Sequence, residues 1–172
     1  GHGFDLRVVL GPQDKDFTED AVATLLKSTY SVSMDQDRMG CRLEGPALEH
    51  RSSADIVSDG SPLGAVQVPG DGAPIVLLAD RGPTGGYTKI ATVIAADVGL
   101  LAQAMPGDEV TFRAVSVEDG QAVLREQRAV LRAIEQGADR TVPMHRVGVR
   151  VDGRAVEVLD QSGAPITISD GL

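Results

Sequence analysis

The sequence contains a single cysteine, Cys41, and no asparagine. One cysteine excludes an intrachain disulfide and favours a reducing compartment, and without asparagine there is no N-glycosylation site. The longest apolar stretch, residues 90–105, is interrupted by Asp97 and Gln103. It is also shorter than the roughly 20 residues of a membrane-spanning helix. The first residues do not resemble a signal peptide. We therefore expect a soluble, cytoplasmic protein.

Basic residues are also scarce. The 172-residue chain has 16 Lys and Arg against 25 Asp and Glu, which gives a formal net charge of -9. Proteins that bind nucleic acids gain much of their affinity by neutralising phosphates, and anionic membranes attract basic patches. We therefore expect neither nucleic acid nor a membrane among the partners. The chain is long enough to bury a core without a metal or a disulfide.

Several catalytic motifs are absent. The sequence has no P-loop, no Gly-x-Gly-x-x-Gly dinucleotide turn and no Gly-x-Ser-x-Gly nucleophile elbow. The three histidines lie far apart and lack the spacing of metal ligands, so we expect no metal site. Cys41 alternates with Met39 and Leu43, a pattern that favours a buried thiol over a nucleophile.

The hydrophobic pattern predicts a mainly β fold with a few helices. Thr18, followed by two acidic residues, predicts the N-cap of a helix that ends near Ser28. Asp97 is expected to cap a short helix, and a capping box at Ser116 and Asp119 predicts a third helix that ends near residue 135. Predicted strands are residues 6–10, 37–44, 64–68, 74–78, 90–94 and 110–114. A small closed barrel or a curled mixed sheet accommodates these elements.

The last part of the chain has a different pattern. Residues 137–140 are typical of a linker. Residues 146–159 predict a hairpin with Asp152 and Gly153 at its turn, and residues 166–168 are a further strand candidate. We therefore predict two parts, a barrel over residues 1–136 and a linker with a hairpin tail over residues 137–172.

Two arginines near the chain's first third form a candidate binding pair. Arg38 and Arg42 share one face of a predicted strand, separated by Gly40, and together are able to clamp a carboxylate or a phosphate. The alternative is that Arg42 forms an ordinary ion pair with Glu44 or another acid.

The loop that begins at Asp80 is the second candidate. Its consecutive glycines, Gly85 and Gly86, allow backbone N–H groups to converge on an anion or a carbonyl oxygen, and Thr84 and Tyr87 add donors. Asp80 follows an apolar strand, so we expect a partly desolvated carboxylate that acts as a base or orients another group. The alternative is a glycine turn whose backbone Asp80 satisfies.

Gln67 is a polar residue inside an apolar strand, between Val66 and Val68. A buried amide needs a hydrogen-bond partner. The sequence leaves open whether that partner is structural or a ligand.

Short motifs in a fixed order make the sequence similar to the KipA family, also called allophanate hydrolase subunit 2 or biotin-dependent carboxyltransferase-like proteins. The motifs are VLGPQ at 9–13, DRMG at 37–40, RLEG at 42–45, AVQVP at 65–69 and TGGY at 84–87. The likeness covers residues 6–134 and leaves out residues 141–172. Three departures stand out. The family's N-terminal half is missing, Gly82 and Pro83 replace a Gln-Thr pair, and Cys41 replaces a common tyrosine.

The resemblance implies a cyclophilin-like closed β-barrel that works with other subunits. Bacterial members of the family include the C subunit of the ATP-dependent 5-oxoprolinase. The implied partners are an A subunit, which folds separately, and a KipI-like B subunit. The implied complex uses ATP to open the lactam of 5-oxoproline, a small cyclic amide, and releases glutamate. Whether ATP binds this chain stays open, and neither a metal nor attached biotin is expected on it.

On matching positions, the resemblance implies roles for two groups of residues. The substrate-binding group is Arg38, Arg42, Gln67, Thr84, Gly85 and Gly86. The catalytic group is Asp80 and Tyr87, with Asp80 orienting or deprotonating a reactant and Tyr87 helping to hold the oxyanion.

Two other functions fit the resemblance. One is a carboxyltransferase of the urea carboxylase and allophanate pathway, which needs a biotinylated partner because the chain has no Ala-Met-Lys-Met biotin-accepting motif. The other is a non-catalytic regulator of the KipA type, which binds an inhibitor of a kinase.

Overall fold

The computed structural model describes residues 3–135 and four two-residue strands between residues 150 and 166. The chain divides into two compact units, Gly1–Val130 and Leu131–Leu172. The predicted division into residues 1–136 and 137–172 stays a prediction. Within the described residues, no helix combines the length and the apolar character needed to span a membrane.

A closed β-barrel forms the centre of the first unit. The strands of this unit are β1 (Gly3–Leu10), β2 (Tyr30–Val32), β3 (Gly40–Glu44), β4 (Asp55–Gly60), β5 (Ala65–Gln67), β6 (Ile75–Leu77), β7 (Thr84–Tyr87), β8 (Lys89–Val93) and β9 (Glu109–Ala114). Seven of them close the barrel in the order β1-β8-β5-β6-β3-β2-β9, while β4 and β7 form a separate two-stranded sheet. The β1–β9 pair is parallel, and the other barrel pairs are antiparallel. The predicted mainly β fold with a closed barrel is confirmed.

Alternation along the strands fills the barrel interior. Leu6 and Val8 on β1, and Cys41 and Leu43 on β3, have no exposed surface. Burial raises the pKa of the Cys41 thiol to about 11, and the prediction of a buried thiol is confirmed. Met39 was expected on the same face, but its side chain is exposed because β3 begins only at the following residue.

Three helices are described in residues 3–135. They are α1 (Glu19–Lys27), α2 (Ala95–Leu101) and α3 (Val117–Glu135). The Thr18 hydroxyl accepts the N–H of Ala21 at 3.0 Å, as its predicted capping role requires. The N–H of Asp119 likewise donates to the Ser116 hydroxyl at the start of α3.

Asp97 does not cap α2, contrary to the sequence-based expectation. The N-cap position belongs to Ile94, and Asp97 lies inside the helix with its carboxylate buried against β1. There it accepts hydrogen bonds from the backbone N–H and the guanidinium of Arg7. The expectation failed because a nearby cation on β1 satisfies this carboxylate better than the end of its own helix.

The second unit contains paired short strands. β10 (Arg150–Val151) pairs antiparallel with β11 (Arg154–Ala155), on either side of the predicted turn at residues 152–153. β12 (Val158–Leu159) pairs antiparallel with β13 (Pro165–Ile166), which overlaps the predicted last strand. The predicted linker at residues 137–140 and the predicted turn itself lie outside the described residues.

The Thr18→Ala substitution is expected to lower the free energy of unfolding by about 1 kcal/mol, because it leaves the N–H of Ala21 without its cap. Chemical denaturation of the two proteins measures the difference. Thr18→Ser retains the hydroxyl and is the matched control. An equal loss in Thr18→Ser and Thr18→Ala would contradict the capping role.

Candidate functional site

A cleft of about 620 Å³ lies between the barrel and the β4–β7 sheet. Strands β3, β5 and β6 line its barrel side, and β7 lines the other. Four residues predicted from the sequence line it: Arg42, Gln67, Thr84 and Tyr87. It also contains Ser61 and Arg81, which the sequence-based reasoning did not single out.

The glycine segment was expected to be a loop, but it is strand β7. Its backbone pairs with β4, with Gly60 opposite Thr84 and Asp55 opposite Tyr87. Successive N–H groups of a strand point in opposite directions, so they do not converge on one ligand atom as a glycine loop allows. Gly85 and Gly86 are thus part of a paired strand and not a backbone cradle, and neither is among the residues that line the cleft. The loop prediction failed because TGGY has no apolar alternation that marks a strand.

Two buried polar atoms in the cleft have no hydrogen-bond partner among the described residues. They are the Ser61 hydroxyl and the Gln67 side-chain nitrogen, on residues that are 5% and 7% exposed. Leaving such a group unpaired costs about 1–3 kcal/mol. Native structures keep few unpaired buried donors, and those they keep need an explanation. The wall of the cleft therefore contains two donors for which the described residues supply no partner.

Arg81 brings a positive charge to the same cleft. Its guanidinium donates to the backbone oxygens of Ser61, at 2.7 Å, and of Leu78, at 3.4 Å. Among the described residues, no carboxylate forms an ion pair with it. A half-buried cation held only by carbonyls is available to an anionic ligand.

Arg42 lines the cleft but is already paired. Its guanidinium donates to the Asp71 carboxylate. The pKa of Asp71 is lowered mainly by the N–H of Ala73 and further by Arg42. The ion-pair alternative considered for Arg42 therefore holds, although the acid is Asp71 and not Glu44.

Arg38 lies outside the cleft, so the structure does not bring the two predicted arginines together. It lines a second, more apolar depression of about 640 Å³. In the turn before β3, the Asp37 carboxylate accepts the N–H groups of Met39 and Gly40. This turn directs Arg38 toward the second depression. A sequence spacing of four suggested one strand face, but Arg38 precedes the strand.

Asp80 accompanies Arg38 and does not line the cleft. Its carboxylate contacts the Arg38 Nε at 3.0 Å, and the Asp80 and Arg38 side chains are 44% and 86% exposed. The structure thus pairs Asp80 with Arg38 at the surface, and the role predicted for Asp80 stays a prediction. The chain turns outward after β6, which leaves Asp80 at the surface and places Arg81 against the cleft.

A buried lysine anchors the β4–β7 sheet. The Lys89 ammonium is fully buried, forms no hydrogen bond within the described residues, and lies 3.5 Å from the Asp59 carboxylate. Gln13 donates to the same carboxylate and accepts the N–H of Lys89. The N–H of Gly60 is the main cause of the lowered pKa of Asp59, followed by Gln13 and Lys89. This contact ties β4, which ends directly before Ser61, to strand β8 of the barrel.

Comparisons with known proteins agree with this architecture. The family described as "Carboxyltransferase domain, subdomain A and B" matches residues 2–114. The chain is 39% identical over 113 residues to the C subunit of a 5-oxoprolinase from Haemophilus influenzae, covering 66% of this chain and 37% of that protein. It is 35% identical over 126 residues to the 5-oxoprolinase C subunit of Escherichia coli, covering 73% and 41%. The chain thus spans about two fifths of the length of these relatives.

A solved structure gives the same fold at lower identity. The crystal structure of the Kluyveromyces lactis urea carboxylase aligns with 79% of this chain and 13% of that chain, with a TM-score of 0.73 and 23% identity. Similarity at this identity supports the barrel architecture and carries no residue roles.

Proposed function

The chain belongs to the carboxyltransferase-domain family, and on that premise we propose that it is part of the C subunit of an ATP-dependent 5-oxoprolinase-type hydrolase. The observation that carries the proposal is the pairing, in one cleft, of an unneutralised guanidinium with two unpaired neutral donors. A small molecule with both a carboxylate and an amide matches that set. 5-Oxoproline, a lactam with an adjacent carboxylate, is such a molecule.

Arg81 and the neutral donors bind different parts of the substrate. Arg81 pairs with the substrate carboxylate, and the lactam carbonyl turns toward Ser61 and Gln67. Tyr87 and Thr84 lie along the opposite wall and supply hydroxyl groups to the same space. This arrangement binds the substrate at two points and fixes the orientation of its carbonyl carbon.

An unstrained amide resists water, so the lactam must be activated. In the proposed complex, ATP transfers a phosphoryl group to the lactam carbonyl oxygen and leaves as ADP. A first water then adds to the carbonyl carbon and the ring C–N bond breaks, which leaves the amine and an acyl phosphate. A second water hydrolyses the acyl phosphate, so that phosphate leaves and the side-chain carboxylate of glutamate forms. An A subunit together with a KipI-like B subunit completes the complex, and the position of ATP within it stays open.

Glutamate release is the direct test. The full-length subunit is mixed with its A-type and B-type partners and 5-oxoproline, with and without ATP. We expect glutamate that depends on ATP and disappears when this subunit is omitted. A stable complex that releases no glutamate would contradict the proposal.

A carboxyltransferase is the second candidate, because the matching family is a carboxyltransferase domain. Its reaction passes a carboxyl group from carboxybiotin to a urea-like amide and needs a biotinylated partner. Streptavidin blotting of the partners that co-purify with the full-length subunit separates the two candidates. An unlabelled blot argues against the carboxyltransferase.

A further inference from the structure

The β4–β7 sheet lies outside the barrel and buries little of its own surface. Among the described strands, its two strands pair only with each other. Five of the six residues of β4 are exposed, and Val57 keeps 92% of its surface. A separate pair of strands with so little burial is marginally stable in water. The sheet therefore depends on its contacts with the barrel.

The pairing of the two strands is itself interrupted. Asp55 pairs with Tyr87 and Asp59 pairs with Gly85, so residues 56–58 of β4 lie opposite Gly86 alone. A bulge of this kind leaves residues unpaired and disrupts the ladder locally. The middle of the sheet thus lacks a regular ladder, which favours opening of this region before the rest of the fold.

One end of the sheet is held tightly. Thr88, the single residue between β7 and β8, has no exposed surface. Its hydroxyl lies 2.9 Å from the Nε2 atom of His50, and its N–H donates to the Ala54 oxygen at 3.0 Å. The end of the sheet next to Thr88 is therefore its fixed end.

The remainder of the sheet covers polar atoms at the edge of the barrel. A methyl group at Gly85 would lie 2.5 Å from the Gln67 nitrogen and 3.0 Å from the Ser61 hydroxyl, so β7 sits directly on these two groups. On β4, the Asp59 carboxylate lies 3.5 Å from the buried Lys89 ammonium. These three covered groups have no hydrogen-bond partner among the described residues. Opening the sheet exposes them to water, which lowers the free-energy cost of opening.

We propose that the β4–β7 sheet is a lid that opens from its Thr84 end while the barrel stays folded. Thr84 lines the cleft at the moving end of the sheet, and Tyr87 lines it at the fixed end. Opening therefore removes Thr84 from the wall of the cleft and leaves Tyr87 near its place. The lid controls entry to the cleft and exit from it, whichever molecule binds there.

Native-state hydrogen exchange of the ¹⁵N-labelled chain tests this motion. The N–H of Ser61 reports the lid, because its 2.9 Å bond to the Pro83 oxygen closes the moving end. The N–H of Val93, which donates to the Gly64 oxygen at 2.8 Å, reports the barrel. We expect Ser61 to exchange faster than Val93 and at a rate that low urea concentrations leave unchanged, since local opening exposes little surface. Equal rates with equal urea dependence would overturn the lid.

The Gly85→Ala substitution opens the lid, because its methyl group collides with the Gln67 and Ser61 side chains that the closed sheet covers. We expect the N–H of Ser61 to exchange about 5- to 30-fold faster than in the parent, still without urea dependence. Gly86→Ala is the matched control on the same strand, since its Cβ meets nothing closer than 3.6 Å. Equal Ser61 exchange in the two variants, or a Gly85→Ala rate that rises with urea as Val93 does, would overturn the proposal.

Discussion

The Arg81→Gln substitution is expected to raise the KM for 5-oxoproline in the assembled complex by about 10- to 100-fold. Arg81 is the cation of the cleft whose charge no described carboxylate neutralises, so the substrate carboxylate would lose its main partner. A hydrogen bond to a charged group contributes about 1.5–3 kcal/mol, which corresponds to this range. Initial rates of glutamate release over a range of 5-oxoproline concentrations measure the effect.

Two further arginine substitutions make the measurement specific. Arg128→Gln on exposed α3 removes the same charge far along the chain, and we expect no change in KM. Arg38→Gln tests the two-arginine clamp that the sequence suggested. A KM that rises with Arg38→Gln and stays constant with Arg81→Gln would contradict the placement of the carboxylate beside Arg81.

The barrel was predictable because buried and more exposed residues alternate along several of its strands. Leu6 and Val8 alternate with exposed or half-buried neighbours, and Cys41 and Leu43 do the same on β3. The interior of a barrel requires this period of two. The cap at Thr18 was predictable for a similar reason, since its bond to the N–H of Ala21 is local in sequence.

The sheet of β4 and β7 was not predictable in this way. Its sequences, DIVSDG and TGGY, are largely exposed and lack the alternation of a strand with one buried face. This sheet is instead held by pairing across more than twenty residues and by the contact of Asp59 with buried Lys89. Such long-range contacts leave no local pattern in either segment.

The sequence predicted which segments form the candidate site, but not which residues of those segments line the cleft. Both sequence clusters contribute to one cleft, through Arg42 from the first and through Thr84 and Tyr87 from the second. Within the second cluster, the choice between Asp80 and Arg81 depended on which way the chain turns after β6. No spacing rule predicts the direction in which the chain turns after β6. Ser61 is a lone serine before a proline, and no local sequence pattern marks it as a site residue.

The Asp97→Ala substitution is expected to lower the free energy of unfolding by about 3–5 kcal/mol. The Asp97 carboxylate is 2% exposed and lies 2.6 Å from the Arg7 guanidinium. The substitution leaves Arg7, whose side chain is 28% exposed, without its anion on the surface of the barrel. Urea denaturation at neutral pH measures the loss. Asp5→Ala is the control, because Asp5 forms an exposed pair with Arg113 that contributes at most about 1 kcal/mol.

The pH dependence of this stabilisation has a definite sign. Burial alone raises the pKa of Asp97, but the hydrogen bonds and charge of Arg7 outweigh it, so the pKa is lowered. A carboxyl with a lowered pKa in the folded state stabilises the fold above its unfolded pKa of about 3.9. That stabilisation is lost as the pH falls through the lower, folded value. The difference in unfolding free energy between the parent and Asp97→Asn should therefore be constant above about pH 5 and shrink in more acidic solution. A difference that grows as the pH falls would mean that burial, and not Arg7, controls the charge of Asp97.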